Sequence, residues 1–390
     1  MSRIKMNPLK SIKKRITRAA WESYINMYSI TIGKCNEKEK RDICEYTTYE
    51  KDEPGYYCNI PNSKYFPEDF MRFAGYHKPE PRYMCCISPC QIVGALATPI
   101  VQNKIVLDSF GGTATKFTSI KTTTQKKEYF ENNYTVLDYI FNRLEVDRPV
   151  HPSNQIFPLV HYYKSYFHWI TEYLPKLRVL DKYERQTGNK PDILIRSNPE
   201  SFRLETLEML GYSKDRLVTW DNTDYNVDNL IITNHRAQPT NQSLRDYLWL
   251  QREVSQSISD RPNIETHNRI FVSRQKTNRR IENYGEFTSL LDRYDFEPHV
   301  LEDLKFEEQV QLFDNVDIVL GPHGAGLTNL IFSDDPCVIE LIPDNHVDPG
   351  FYLLTECLDL DYYPYMTSTN KNGNLIIDIE ALSDYLDNIM

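Results

Sequence analysis

The sequence predicts an α/β protein built from two tandem domains, and three observations carry that expectation. Apolar runs of strand length alternate with amphipathic stretches of helical period through residues 155–257, and the same alternation restarts at Arg269. The 390-residue length exceeds what one hydrophobic core usually serves. Between the two series, residues 259–267 are polar, aperiodic and contain Pro262, as an interdomain linker would be.

Composition narrows the class. Hydrophobic residues make up 40% and charged residues 26%, with no apolar run of bilayer-spanning length, so a soluble or peripheral protein is expected. The net charge of −10 argues against nucleic acid as a partner. The eight cysteines are irregularly spaced and the N-terminus lacks the apolar core of a secretory signal, so reduced thiols and a cytoplasmic location are expected. The Asn133-Tyr134-Thr135 sequon then carries no glycan.

Taken in order, the chain begins with Arg3, Lys5, Lys10, Lys13, Lys14, Arg15 and Arg18, while Leu9, Ile12, Ile16, Ala19 and Ala20 recur at helical spacing. Two readings follow: residues 1–30 contact an anionic membrane surface, placing the protein at the inner face of the cell membrane, or a solvated basic tail ends in a helix docked on the body. Residues 30–80 show little periodicity and complete an irregular extension over 1–80.

A first domain is expected over 81–258. Cys85, Cys86 and Cys90 have no partner pair at zinc-ligand spacing and read as buried thiols, so no metal site is expected there. Short strands are predicted at 92–97, 100–101 and 104–107, closed by Gly111 and Gly112, with a helix at 130–144 and a strand at 155–160. In 167–177, Phe167, Ile170, Leu174 and Leu177 recur at helix spacing. His168 and Glu172, four apart, share a face of that helix, where an imidazole and a carboxylate can work as base and orienter. The spacing is common on solvent-facing helices and gains meaning only from its surroundings; without an HExxH it is not a zincin. A strand at 193–195, a helix at 202–210 ended by Gly211, strands at 217–220 and 229–232, and a helix at 243–257 complete a doubly wound pattern.

The second domain is expected over 268–370, with a C-terminal helical unit at 371–390. A strand at 269–273, helix 284–294, strand 297–301 and helix 306–314 lead to DIVLGPHGAGLTNLIFSDDPCVIELI at 317–342, which reads strand, glycine-rich turn, short helix, strand. Glycines at the carboxyl end of a strand, opening a helix, leave backbone N–H groups unblocked and suit a diphosphate. Arg274, Lys276, Arg279 and Arg280 follow the first strand at the same sheet edge, where guanidinium groups can grip phosphate oxygens bidentately. His323 can donate to a phosphate. Glu340 interrupts an apolar strand, and a position near the strand end, accepting hydroxyl hydrogen bonds as from a ribose, would make a carboxylate tolerable there. The Asp359-Leu360-Asp361 pair reads as a solvated acid pair rather than a metal clamp.

These residues together resemble glycosyltransferase family 61, which includes plant transferases that decorate xylan with pentoses, animal endoplasmic-reticulum N-acetylglucosamine transferases and microbial capsular-polysaccharide proteins. The likeness lies in FHWITEYLPKL at 167–177, RIFVSR at 269–274 followed by Arg280 and Asn283, FEEQVQLFDNVDIVLGPHGAGLTNLIF at 306–332, and VIEL at 338–341. The resemblance implies a GT-B architecture, two Rossmann-like domains facing across a cleft. It implies a nucleotide-sugar donor, UDP-linked, held mainly by the C-terminal domain, with inversion at the anomeric carbon and no required metal or cofactor. Arg274, Arg279 and Arg280 would bind the diphosphate, and the turn carrying His323, Gly324, Ala325, Gly326 and Asn329 would cap it. Asn283 would join the donor site and Glu340 would take the ribose. Glu172 is the expected base, with His168 as second candidate or orienter, and a glycan, lipid-linked sugar or protein the acceptor. One departure is Tyr284, where the family usually has an acid, which bears on donor-sugar contacts. Two competing readings are an inactive nucleotide-binding scaffold of a polysaccharide assembly complex and an enzyme transferring a non-sugar group.

Overall fold

A computed structural model describes residues 29–30, 35–49, 52–61, 65–93, 97–102, 104–106, 148–161, 163–236, 239–258 and 267–390. The expected N-terminal basic helix and its membrane contact, Gly111 and Gly112, the helix at 130–144 with Asn133, and the linker at 259–266 lie outside the described residues. No helix of the described residues is long and apolar enough to cross a membrane.

The fold is mixed α/β. In the C-terminal half, Glu297–His299, Arg269–Val272, Ile318–Pro322, Cys337–Pro343 and Tyr362–Thr369 lie side by side in that order, all parallel, and Leu375–Ile376 adds an antiparallel edge. In chain order the parallel strands run second, first, third, fourth, fifth. The order reverses between Arg269–Val272 and Ile318–Pro322, and such a reversal opens a crevice beyond the carboxyl ends of the two strands.

The N-terminal half holds a six-stranded sheet in the order Leu217–Trp220, Asp192–Arg196, Gln155–Pro158, Asn229–Thr233, Tyr83–Ile87, Glu45–Thr48. Its first four strands are parallel, in chain order third, second, first, fourth. A second reversal therefore falls between Gln155–Pro158 and Asn229–Thr233. The doubly wound expectation fails here on one face. Helices cover one side, but the other is closed by a five-stranded sheet that includes Cys90–Val93, Thr98–Val101 and Tyr225–Val227. The 30–80 segment is also less irregular than expected. Glu45–Thr48 extends the six-stranded sheet, and Tyr56–Cys58 pairs with Gly75–His77 in a ribbon packed on the helix Gly350–Leu358.

Strand pleating sends successive side chains to opposite faces, and the cores record it. Phe157, Ile193, Ile195 and Ile231 enter a large core shared by both halves, whereas Ile156, Leu194, Leu230 and Ile232 enter the core between the two N-terminal sheets. Ile270, Val272, Val319, Val338 and Ile342 face the shared core from the other side, and Phe271, Leu320, Ile339 and Leu341 meet the helices Tyr284–Arg293 and Ile379–Ile389. All eight cysteines are free thiols, with Cys85 and Cys90 buried and Cys86 partly so.

Candidate active site

The helix that starts at Tyr166, capped by the Ser165 hydroxyl on the His168 N–H, is not a uniform α-helix. Trp169–Tyr173 forms a π turn in which the Leu174 N–H reaches the Trp169 carbonyl, and Leu174–Lys176 is 3-10 before Leu177–Thr187 resumes α geometry. Pro175 explains the irregularity. It has no N–H for the Thr171 carbonyl four residues back, and its ring crowds that carbonyl, so the preceding turn widens. The wide turn lies at the carboxyl end of Gln155–Pro158, beside the N-terminal reversal.

Glu172, in that turn, is buried, and both of its carboxylate oxygens are engaged. Oε1 lies 2.8 Å from His168 Nδ1 and Oε2 lies 2.9 Å from His235 Nε2. Glu172 is 1% exposed and the His168 side chain 22%, so only the histidine of this pair reaches solvent. Burial opposes the Glu172 charge, but hydrogen bonds from His168 and His235 outweigh it and hold the carboxyl well below the usual range. An ionised carboxylate accepts only, so the ring nitrogens facing it carry the protons. A neutral His168 is thereby the Nδ1–H tautomer with its Nε2 lone pair available, and its ring stacks on Tyr163 at 4.1 Å.

Sequence reasoning missed His235. It sits two residues past the end of Asn229–Thr233, on the strand where the N-terminal sheet reverses, and the strand order, which reveals this, is not written in local periodicity. Burial, then Lys176, pulls its imidazole down to about 4 despite Glu172. Lys176, one turn beyond Glu172, is lowered by burial and Arg82 to about 7.

At the C-terminal reversal, Arg274 lies directly on the glycine turn: a Cβ on Gly324 would stand 1.9 Å from Arg274 Nη1. Burial, then the charge of Arg279, lowers the Arg274 guanidinium to about 10. Arg279 adopts a left-handed φ of 64°, and its Nη1 is buried with no partner among the described residues. A cationic donor lacking an acceptor suits an anionic ligand. Ala325 and Gly326 open the helical segment Ala325–Phe332, so their N–H groups lack intrahelical acceptors. Arg280 is exposed, and its carbonyl holds Leu375.

Three residues expected at the donor site are held by partners within the chain. Glu340 lies in mid-strand, fully buried, accepting from His323 Nδ1 at 2.6 Å and from the Tyr362 hydroxyl, so it fixes His323. The two partners make the buried carboxylate tolerable without a strand-end position. Asn283 grips the Ile377 backbone through both amide atoms, at 2.8 and 3.0 Å, and pins the C-terminal segment. Asn329 is fully buried, accepting from Tyr166 Oη at 2.6 Å and donating to Gln309 at 2.9 Å.

The Tyr166–Asn329 bond links the two halves of the site. Tyr166 and His168 are two residues apart, and Asn329 belongs to the helical segment opened by the glycine turn. Between the histidines, Phe167 meets Phe351 edge-on at 5.3 Å and Phe351 meets His323 at 5.2 Å. His346 stands 5.2 Å from His323. The Asp359–Asp361 pair precedes Tyr362–Thr369 and so lies at the amino edge of the sheet, opposite the glycine turn.

Residues 166–339 match the family model for glycosyltransferase 61. An EGF domain-specific O-linked N-acetylglucosamine transferase of Drosophila melanogaster is 37% identical over 86 residues, 21% of this chain and 16% of that protein. A beta-1,2-xylosyltransferase of Oryza sativa subsp. japonica is 26% identical over 201 residues, 51% of this chain and 32% of that protein. The alignments thus span a third or less of each relative's length. The matched segment carries both the His168–Glu172 helix and the Arg274–Gly324 turn, and over it the chain is similar to glycosyltransferase family 61.

Proposed function

We propose that this chain is an inverting glycosyltransferase of GT-B arrangement that moves a sugar from a nucleoside-diphosphate donor, UDP-linked, to a hydroxyl of a glycan or glycoconjugate. The observation that carries the reading is the pairing of two histidine–carboxylate couples. His168–Glu172 stands at the N-terminal reversal and His323–Glu340 at the C-terminal one, joined by Phe167 and Phe351.

The diphosphate lies at the C-terminal reversal, gripped by Arg274 and Arg279 and by the first N–H groups of Ala325–Phe332. His168 Nε2 takes the proton of the acceptor hydroxyl as its oxygen bonds to the anomeric carbon. The carbon–oxygen bond to the diphosphate breaks on the opposite face, and the arginines receive the negative charge. Glu172 stabilises the imidazolium that forms. This reverses the expected roles, with His168 as base and Glu172 as its orienter, because Glu172 is buried with both oxygens occupied. Charge on the leaving group is met by protein cations, so the reaction proceeds without a divalent metal, and EDTA leaves the rate unchanged.

The test is nucleoside diphosphate release across a panel of nucleotide sugars and hydroxyl acceptors. H168Q and E172Q are expected to lower turnover by about 10²-fold or more while donor affinity stays within about twofold. Retained turnover in both variants would move the base elsewhere. Binding of no nucleotide sugar would remove the donor site.

A further inference from the structure

The second histidine on Glu172 has no place in the proton transfer just described, yet its position is held from several directions. Arg82 donates to the Asn234 carbonyl immediately before it. Arg236, immediately after it, reaches Asp246 at 2.8 Å and pairs with Glu53. Tyr173 lies edge-on to its ring at 4.9 Å. His235 is 4% exposed, and its Nδ1 has no partner among the described residues. Among the described residues, the hydrogen bond of this anchored ring is therefore the Nε2–H to Glu172 Oε2.

That contact guards a specific proton. Glu172 is buried beside one cationic side chain of its own helix, Lys176, and the positive charge of Arg82 stands behind that. Without the His235 N–H, the buried carboxylate keeps the His168 N–H and the neighbouring Lys176 but loses one of its two histidine donors. Its charge is then relieved by uptake of one proton from solvent: that proton enters at His168 Nε2 and the Nδ1 proton passes to Glu172 Oε1. The pair gains one proton and goes from a net charge of −1 to neutral, the carboxyl donates back to Nδ1, and the lone pair that would accept the hydroxyl proton is gone. We infer that His235 is a positioning residue whose hydrogen bond to Glu172 holds His168 in the tautomer with Nε2 free. The inference rests on the proposed role of His168 as base.

The test reads tautomers directly, in the full chain and without substrate, by long-range ¹H–¹⁵N spectroscopy of histidine-labelled protein between pH 6 and 8. Wild type is expected to show His168 as Nδ1–H and His235 as Nε2–H. H235L is expected to convert most of His168 to Nε2–H and to lower nucleoside diphosphate release at least about tenfold, with donor KM unchanged. H235Q, whose amide can still donate to Glu172, is expected to restore both and guards against a folding defect. His168 remaining Nδ1–H in H235L, or full turnover in that variant, overturns the inference while leaving the base assignment intact. Full turnover in H168Q instead removes the base assignment and the inference with it.

Discussion

Two alanine substitutions in one turn separate the binding contribution of the glycines from their packing contribution. Gly324 has an extended φ of 174°, so alanine is tolerated by the backbone. Its Cβ, however, would occupy the space of Arg274, 1.9 Å from Nη1 and 2.7 Å from Cζ. The displaced atoms are the mobile end of a long side chain, so G324A is expected to fold with a stability loss of no more than about 1 kcal/mol, the one hydrogen bond from Arg274 Nε to Asn278. Expelling the guanidinium from a diphosphate removes charge-assisted hydrogen bonds worth about 1.5–3 kcal/mol, or roughly 10- to 150-fold in Kd. G326A differs. Its Cβ would meet Val272 Cγ1 at 2.8 Å and Leu301 Cδ1 at 2.9 Å, inside the shared core, and overpacking there costs about 1–3 kcal/mol of folding stability. Calorimetric titration with UDP and GDP reads the first variant, and scanning calorimetry the second. The R274A variant completes a cycle: if Arg274 mediates the effect, adding G324A to R274A costs almost nothing further. Additive losses, or wild-type UDP affinity in G324A, would refute the reasoning.

Further outcomes follow from the buried polar groups. Y166F leaves the buried Asn329 oxygen unpaired and is expected to cost about 1–3 kcal/mol by denaturant unfolding, with the larger functional loss in kcat rather than in donor affinity. E340Q weakens the hold on His323 and is expected to reduce nucleoside diphosphate affinity about tenfold by calorimetry, with little change in turnover at saturating donor. The imidazole of His235 lies at about 4 in the folded chain against an ordinary 6.5, so the unfolded chain binds the extra proton between those values. Stability should therefore fall as pH drops from about 6.5 to 4. H235Q should flatten that slope in urea titrations at fixed pH. Lys176 works at the other end: with its ammonium lowered to about 7, stability should rise from about pH 7 to pH 10, and K176M should abolish that rise.

The sequence made the βα alternation of 269–343 legible because the strands Arg269–Val272, Ile318–Pro322 and Cys337–Pro343 are apolar runs buried on both faces. It also pointed to His168 and Glu172, which are neighbours on one helix. What it could not express is contact at a distance. Glu172 and His235 are 63 positions apart, and only the reversal of strand order places one beside the other. The same limit hid the internal partners of Asn329, Asn283 and Glu340. A polar residue in a ligand-like motif and a polar residue satisfying a distant partner carry the same local signature, and Tyr166, Ile377 and Tyr362 supply those partners from elsewhere in the chain. The five-stranded sheet behind the N-terminal half was hidden for a related reason. A strand covered by helices and one covered by a second sheet are equally apolar.

The wide turn at Trp169–Tyr173 sets a length constraint on evolution and engineering. A π turn holds more residues than an α turn, and Pro175 fixes where the surplus falls. Losing one residue between His168 and Pro175 would rotate everything upstream by about 100° relative to Leu177 and the body of the helix. His168 would then swing off Glu172, and Tyr166 off Asn329, in a single event. Point substitutions in this stretch can be absorbed one contact at a time, but insertions and deletions cannot. Variant libraries of this chain should therefore vary side chains between His168 and Pro175 and leave the count of residues alone.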